Sequence, residues 1–155
     1  MNWVHTIGQL DSTKNVNALE VENCISLVKK LRAENPKASI GIITPFKHQK
    51  EAIINELNRV PGTQDILCDT VHKFQGDEKD IILFSLVVST NSRPSLINFI
   101  NLYSPYIINV AVTRARSALY IIGNKSFCKS LQNNQEGKSL LSNLAYYADT
   151  VVNKN

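Results

Sequence analysis

The chain has 155 residues, 43% of them apolar and 19% charged, which suffices for one packed domain and is too little for two of ordinary size. A formal charge of +4 permits a nucleic-acid partner without requiring one. The three cysteines, Cys24, Cys68 and Cys128, stand far apart with no Cys-x-x-Cys pair, which argues against a disulfide framework or a zinc site and for buried thiols in a reducing compartment.

The opening residues, MNWVHTIGQLDS, lack the basic and apolar regions of a signal peptide. Within them Trp3 to Ile7 reads as a short strand. Val16 to Ala33 is predicted helical: Val21, Ile25, Val28 and Leu31 share one face, and Lys29, Lys30 and Arg32 lie near the C-terminal end, where the dipole favours cations. Asn35-Pro36 stops it. Ile40 to Ile43 is a short buried strand, Lys47 to Arg59 an amphipathic helix with Ile53, Ile54 and Leu57 inward, and Pro61-Gly62 a turn. Ile66 to Val71 is the next strand. Ile81 to Val88, apolar except for Ser85, suits a central strand of a parallel sheet and is too short to span a membrane. No membrane partner and a cytoplasmic location are therefore expected.

Ser104-Pro105 predicts a helix start, with Ser as N-cap and Pro at the first helical position, for a helix from Tyr106 to about Arg114. Ala118 to Ile122 is a strand ending at Gly123, and helices are predicted around Ser126 to Leu131 and Ser139 to Ala148. Strands alternating with helices imply an α/β fold with a mostly parallel sheet flanked by helices. Ligands gather at the carboxyl ends of such strands. That rim would hold Thr44-Pro45, the segment after Val71, and Ser89-Thr90-Asn91.

Three segments carry chemistry. In IGIITPFKHQ, from Ile40 to Gln49, a strand ends at Thr44-Pro45 and a helix begins; free backbone N–H groups there suit a phosphate, although an ordinary helix cap explains the same residues. In DTVHKFQGDEKD, from Asp69 to Asp80, a polar stretch runs between two buried strands, and Gly76 would let the backbone approach a ligand; a merely solvated loop is the plainer alternative. In NVAVTRARSALYIIGN, from Asn109 to Asn124, Arg114 and Arg116 separate an apolar helix from an apolar strand. They must reach a phosphate, water or a carboxylate such as Asp77 or Asp80, and both readings stay open. Gly137-Lys138-Ser139 imitates the end of a P-loop, but Gln132 stands where that pattern needs glycine, so a helix start is expected there and the chain has no Walker A motif.

In this order the three segments resemble motifs IV, V and VI of superfamily 1 helicases, in the branch that contains the nonsense-mediated-decay RNA helicase, senataxin and their bacterial relatives. ITPFKHQ resembles motif IV, TVHKFQGDEKDIILFS motif V and NVAVTRARSALYIIGN motif VI; the stretch Ser12 to Glu22 resembles the family's Asn-x-x-Glu segment through Asn17 and Glu20. The likeness covers roughly residues 3 to 149. It implies a three-layer RecA-like domain, residues 1–155, that is the second of two in a helicase. ATP with Mg2+ would be shared with a first RecA-like domain of the same polypeptide, outside this chain, which would then be an excised piece or a truncated reading frame. The resemblance makes Arg114 the arginine finger, with Arg116 assisting it or holding it in place. Gly76, Asp77 and Glu78 become nucleotide-binding residues, Glu78 through the ribose hydroxyls. Gln75 links the ATP and strand sites, and Gln49 supports the nucleotide site. Thr44, Pro45, Thr70 and His72 would line a groove for single-stranded DNA or RNA, with contacts added by Ser89, Thr90 and Asn91. His72 stands where the best-known eukaryotic members carry Asp, which points to a bacterial member. Two rivals remain: a non-catalytic RecA-like interaction module, and a metal-dependent nuclease built on Asp69, Asp77, Glu78 and Lys79.

Overall fold

A computed structural model describes residues 1–11, 13–74, 78–133, 137–138 and 140–152. Five parallel strands form one sheet: β1 (Asn2–His5), β2 (Ile40–Thr44), β3 (Leu67–Thr70), β4 (Lys79–Ser85) and β5 (Ala115–Gly123), in the spatial order β1-β5-β4-β2-β3. Helices α1 (Ala18–Glu34) and α2 (Lys47–Leu57) cover one face. Helices α3 (Pro94–Arg114), α4 (Lys125–Ser130) and α5 (Leu140–Val152) cover the other.

Alternation along the strands feeds two separate cores. Ile40 and Ile42 of β2, with Ile81 and Leu83 of β4, pack under Val21, Val28, Ile53 and Leu57 of α1 and α2. Ile43, Ile82 and Phe84 turn to the opposite face and meet Ile100, Ile107, Leu141 and Ala145. A strand buried on both faces cannot alternate polar with apolar, which is why β2 and β4 read as continuous apolar runs. This is the three-layer α/β arrangement that the resemblance implies. The three cysteines are free, buried thiols, and burial pushes those of Cys68 and Cys128 up to about 12.

Some boundaries depart from expectation. The predicted helix start at Ser104-Pro105 is overturned: α3 begins eleven residues earlier, with Pro94 in its first turn, because Leu96 and Ile100 supply a buried stripe at helical spacing. Pro105 lies inside the helix, and the axis bends by 58° between Leu102 and Pro105, as a residue without an N–H requires. The strand predicted through Val88 ends at Ser85, since Val87 has φ 72. Gly137-Lys138 is not a helix start but a two-residue strand, β7 (Gly137–Lys138), antiparallel to β6 (Gln132–Asn133); Ser139 lies outside the described residues. Among the described residues no single helix is long and apolar enough to cross a membrane.

The chain leaves the C-terminal end of β3 and re-enters the sheet at the N-terminal end of β4, on the far side of β2. It does so in eight residues, Val71 to Glu78, too few for a crossover helix. Phe74, 1% exposed, is laid on β2 where Gly41 leaves room. A Cβ at Gly41 would stand 2.6 Å from the Phe74 ring and 3.0 Å from Ile82. Gly41→Ala is therefore expected to lower stability by about 1–3 kcal/mol, measured by urea unfolding. The loss should shrink in a Phe74→Leu background; an equal loss in both backgrounds would mean that Phe74 is not what Gly41 accommodates.

Candidate nucleotide and nucleic-acid interfaces

The strand register divides the predicted site residues between two rims of the sheet. Thr44 pairs in register with Thr70, and Ile43 with Phe84, so Thr44, Pro45, Thr70, His72 and the segment Ser89–Asn91 belong to the C-terminal rim. Lys79 pairs with Ala115, so Glu78, Arg114 and Arg116 belong to the N-terminal rim. The rims are separated by the length of β4, roughly 20 Å at the usual rise per residue. Gln75, Gly76 and Asp77 lie outside the described residues.

At the C-terminal rim the turn after β3 is tied down by backbone bonds. Val71 N–H donates to the Thr44 carbonyl at 3.1 Å, and Lys73 and Phe74 N–H both donate to the Thr70 carbonyl, at 3.1 and 2.9 Å. Val71 and Phe74 are buried while His72 and Lys73 between them face solvent. Thr44 is fully buried and its hydroxyl has no partner among the described residues, so its side chain does not line an open groove. The trio after β4 divides its roles. Ser89 is buried and accepts from Asn124 Nδ2 at 3.2 Å, and the Asn91 side-chain amide clamps the Leu10 backbone with two 3.1 Å bonds. Thr90 is exposed.

Gln49 is not at either surface. It is fully buried, and its amide is consumed inside the protein: Oε1 accepts from Asn17 N–H at 2.9 Å, and Nε2 donates to the Asn17 carbonyl at 3.2 Å and to Ser85 Oγ at 3.1 Å. Direct contact with a nucleotide is thereby closed to it, and a supporting role is what its geometry allows. Around it lies a network whose extent the sequence did not reveal. Ser85 Oγ and Val87 N–H donate to one oxygen of Glu20 at 2.7 and 2.9 Å, and Asn17 Nδ2 donates to the other at 3.1 Å. Asn17 Nδ2 also donates to the Val87 carbonyl at 3.1 Å, while its Oδ1 caps α1 on Glu20 N–H. A Cβ at Gly8 would collide with Asn17 Oδ1. The signal was present in sequence: Glu20, Cys24, Val28 and Leu31 recur at helical spacing, so a carboxylate sits in phase with an apolar stripe.

The network holds a strained residue. Val87 occupies the left-handed region, unusual for a β-branched side chain and costing about 1–3 kcal/mol. Val88 N–H closes a tight turn onto the Leu86 carbonyl at 2.9 Å. Glu20 and Asn17 bond both backbone groups of Val87, and so aim the chain toward Ser89–Asn91.

Burial pushes the Glu20 carboxyl up to about 8, against the pull of the Val87 and Ser85 hydrogen bonds. Because this folded value exceeds the usual 4.5, the stability linked to its protonation is complete below about pH 4.5 and is lost as pH rises through about 8. Melting temperatures between about pH 5 and pH 9 should therefore fall more steeply for the wild type than for Glu20→Gln, whose amide does not titrate. Parallel curves would contradict this.

At the N-terminal rim the two arginines are treated differently. Arg116 Nη2 donates to the Glu78 carbonyl at 3.2 Å, and its Nε lies 3.9 Å from Asp80 Oδ1. Asp80 in turn accepts from Ser39 N–H at 2.9 Å, and the Ser39 bonds, with Arg116 nearby, hold its carboxyl below the usual range. Beside them the strand register shifts between the Lys79–Ala115 and Ile81–Ala118 pairs, an irregularity that re-aims side chains. Arg114 is half-buried, and its Nε is buried with no hydrogen-bond partner among the described residues. Among the described residues the acidic side chains named for a metal site stand apart: Asp69 pairs with Lys50 at 3.6 Å near the C-terminal end of β3, while Glu78 lies at the opposite rim. Among the described residues no group of three His, Cys, Asp or Glu side chains could hold an ion.

Residues 4–126 match the family model described as an AAA domain, and the chain belongs to that family, on the RecA-like fold of superfamily 1 helicases. Its relatives include the "Regulator of nonsense transcripts 1 homolog" of Neurospora crassa, 36% identical over 76% of this chain. They also include "Helicase sen1" of Schizosaccharomyces pombe, 39% identical over 74%, and "Probable helicase senataxin" of Homo sapiens, 35% identical over 84%. The chain spans a small part of these long proteins, 11%, 7% and 5% of their respective lengths.

Proposed function

We propose that this chain is the second RecA-like motor domain of an ATP-dependent DNA or RNA helicase in a cytoplasmic setting. It closes on a first RecA-like domain of the same polypeptide, and ATP with Mg2+ is held between the two. The N-terminal rim faces the nucleotide and the C-terminal rim faces the single strand. The observation that carries this reading is the contrast between the arginines. Arg116 is anchored by Asp80 and a carbonyl, whereas the buried Nε of Arg114 has no hydrogen-bond partner among the described residues. An unsatisfied buried donor costs about 1–3 kcal/mol, and a phosphate oxygen arriving on closure would satisfy it.

In this reading Arg114 is the finger that stabilises charge on the transferring phosphoryl group, and Arg116 positions it. Glu78, exposed on the same rim, accepts from the ribose hydroxyls; Gly76 and Asp77 complete the nucleotide loop, and Gln75 joins it to the strand site. The backbone at Thr44, Pro45, Thr70 and His72, with Thr90, follows the strand. Ser89, Asn91 and Gln49 hold that rim in shape. The separation of Asp69 from Glu78 counts against the nuclease.

Two assays test the proposal. The isolated chain is expected to show no ATPase activity. Joined to a P-loop RecA-like domain of its own polypeptide, it should support ATPase stimulated by single-stranded DNA or RNA. Arg114→Ala should lower kcat by about 10³-fold or more while strand binding stays near wild type. Unchanged turnover in the joined variant would overturn the finger; no strand-stimulated turnover in the joined wild type would overturn the motor and leave an interaction module.

A further inference from the structure

His72 and Tyr106 come from distant parts of the chain and stack at the C-terminal rim. Their ring centroids lie 5.7 Å apart with planes inclined by 23°. Both side chains are exposed, Tyr106 at 39%. Neither backbone is loose: His72 is flanked by buried Val71 and by the turn onto the Thr70 carbonyl, and Tyr106 precedes Ile107, 4% exposed, in α3. A pair of rings fixed from below and open to water presents π surface with little rotamer entropy left to lose on binding. Beside the pair stands Lys73, exposed and without an ion-pair partner among the described residues.

We propose that the His72–Tyr106 pair is a stacking platform for a base of the bound single strand, with Lys73 taking the adjacent phosphate. The proposal rests on the reading of the C-terminal rim as the strand-binding surface. It adds what backbone contacts at Thr44–Pro45 and Thr70 cannot give, a grip on the bases themselves. Stacking of this kind tolerates any base, because every base has a π face. The placement also links the two rims. Tyr106 and Arg114 lie on the same arm of α3, beyond its bend and eight residues apart, or about 12 Å along the axis. A base seated on Tyr106 therefore bears on the helix that carries the guanidinium.

The test is strand binding by this chain, followed by anisotropy of a labelled single strand and by fluorescence of 2-aminopurine placed along it. The platform is expected to quench 2-aminopurine at a defined position and to bind a base-bearing strand about tenfold more tightly than an abasic one. Tyr106→Ala and Tyr106→Leu should lose the quenching and weaken binding about tenfold, while Tyr106→Phe keeps both. Leu retains apolar bulk and Phe the ring, so a general packing defect would weaken the Phe and Leu variants alike and would refute the platform. If the wild type binds strands but Tyr106→Leu binds and quenches equally, the platform is wrong and the strand-binding rim stands. If the wild type binds no single strand, both fall together.

Discussion

Glu20 is a carboxyl group placed where water cannot reach it, and much of the C-terminal rim is arranged to satisfy it. Three donors converge on its two oxygens, from α1's own N-cap, from the last residue of β4 and from the backbone of Val87. Removing any one leaves a buried polar atom unpaired in the low-dielectric interior, where its desolvation is uncompensated. The network thus welds α1, α2 and β4 together through Gln49 and fixes a left-handed Val87 that would otherwise relax. The loop that follows inherits its direction from that constraint. In the proposed reading, a rigid rim lets a strand be gripped in the same geometry through each cycle.

A second constraint is the eight-residue return from β3 to β4. It passes over β2 at Gly41, with Phe74 as its buried anchor, and it physically joins His72 at one rim to Glu78 at the other. The arm of α3 after Pro105 makes a parallel connection, from Tyr106 to Arg114. Two short, anchored spans therefore bridge the proposed strand and nucleotide surfaces. In the proposed reading both ligands touch these spans, which is what coupling through a shared element needs.

Much of this was legible in the sequence, and the parts that were not share a cause. Apolar runs at Ile40–Ile43 and Ile81–Val88 revealed a sheet buried on both faces, and the three polar segments fall at its rims. Periodicity could not place the start of α3, because Pro105 after Ser104 imitates a helix cap and only the burial of Leu96 and Ile100 decides otherwise. Strand direction was also decisive: Arg114 immediately precedes β5 and Arg116 is its second residue, so both lie at the rim opposite Thr44, which ends β2. The resemblance named Asn17 and Glu20 without a role, since their partners, Ser85 and Val87, are brought to them by tertiary structure alone. The same holds for Tyr106, whose neighbour His72 is 34 residues earlier.

Backbone amide chemical shifts of the chain titrated with a single-stranded oligonucleotide test the proposed division of labour between the rims most directly. The largest changes are expected at Thr44, Phe46, Thr70, His72 and Lys73, with Glu78, Arg114 and Arg116 little moved. Changes concentrated at Glu78 and the two arginines, with the C-terminal rim silent, would contradict it.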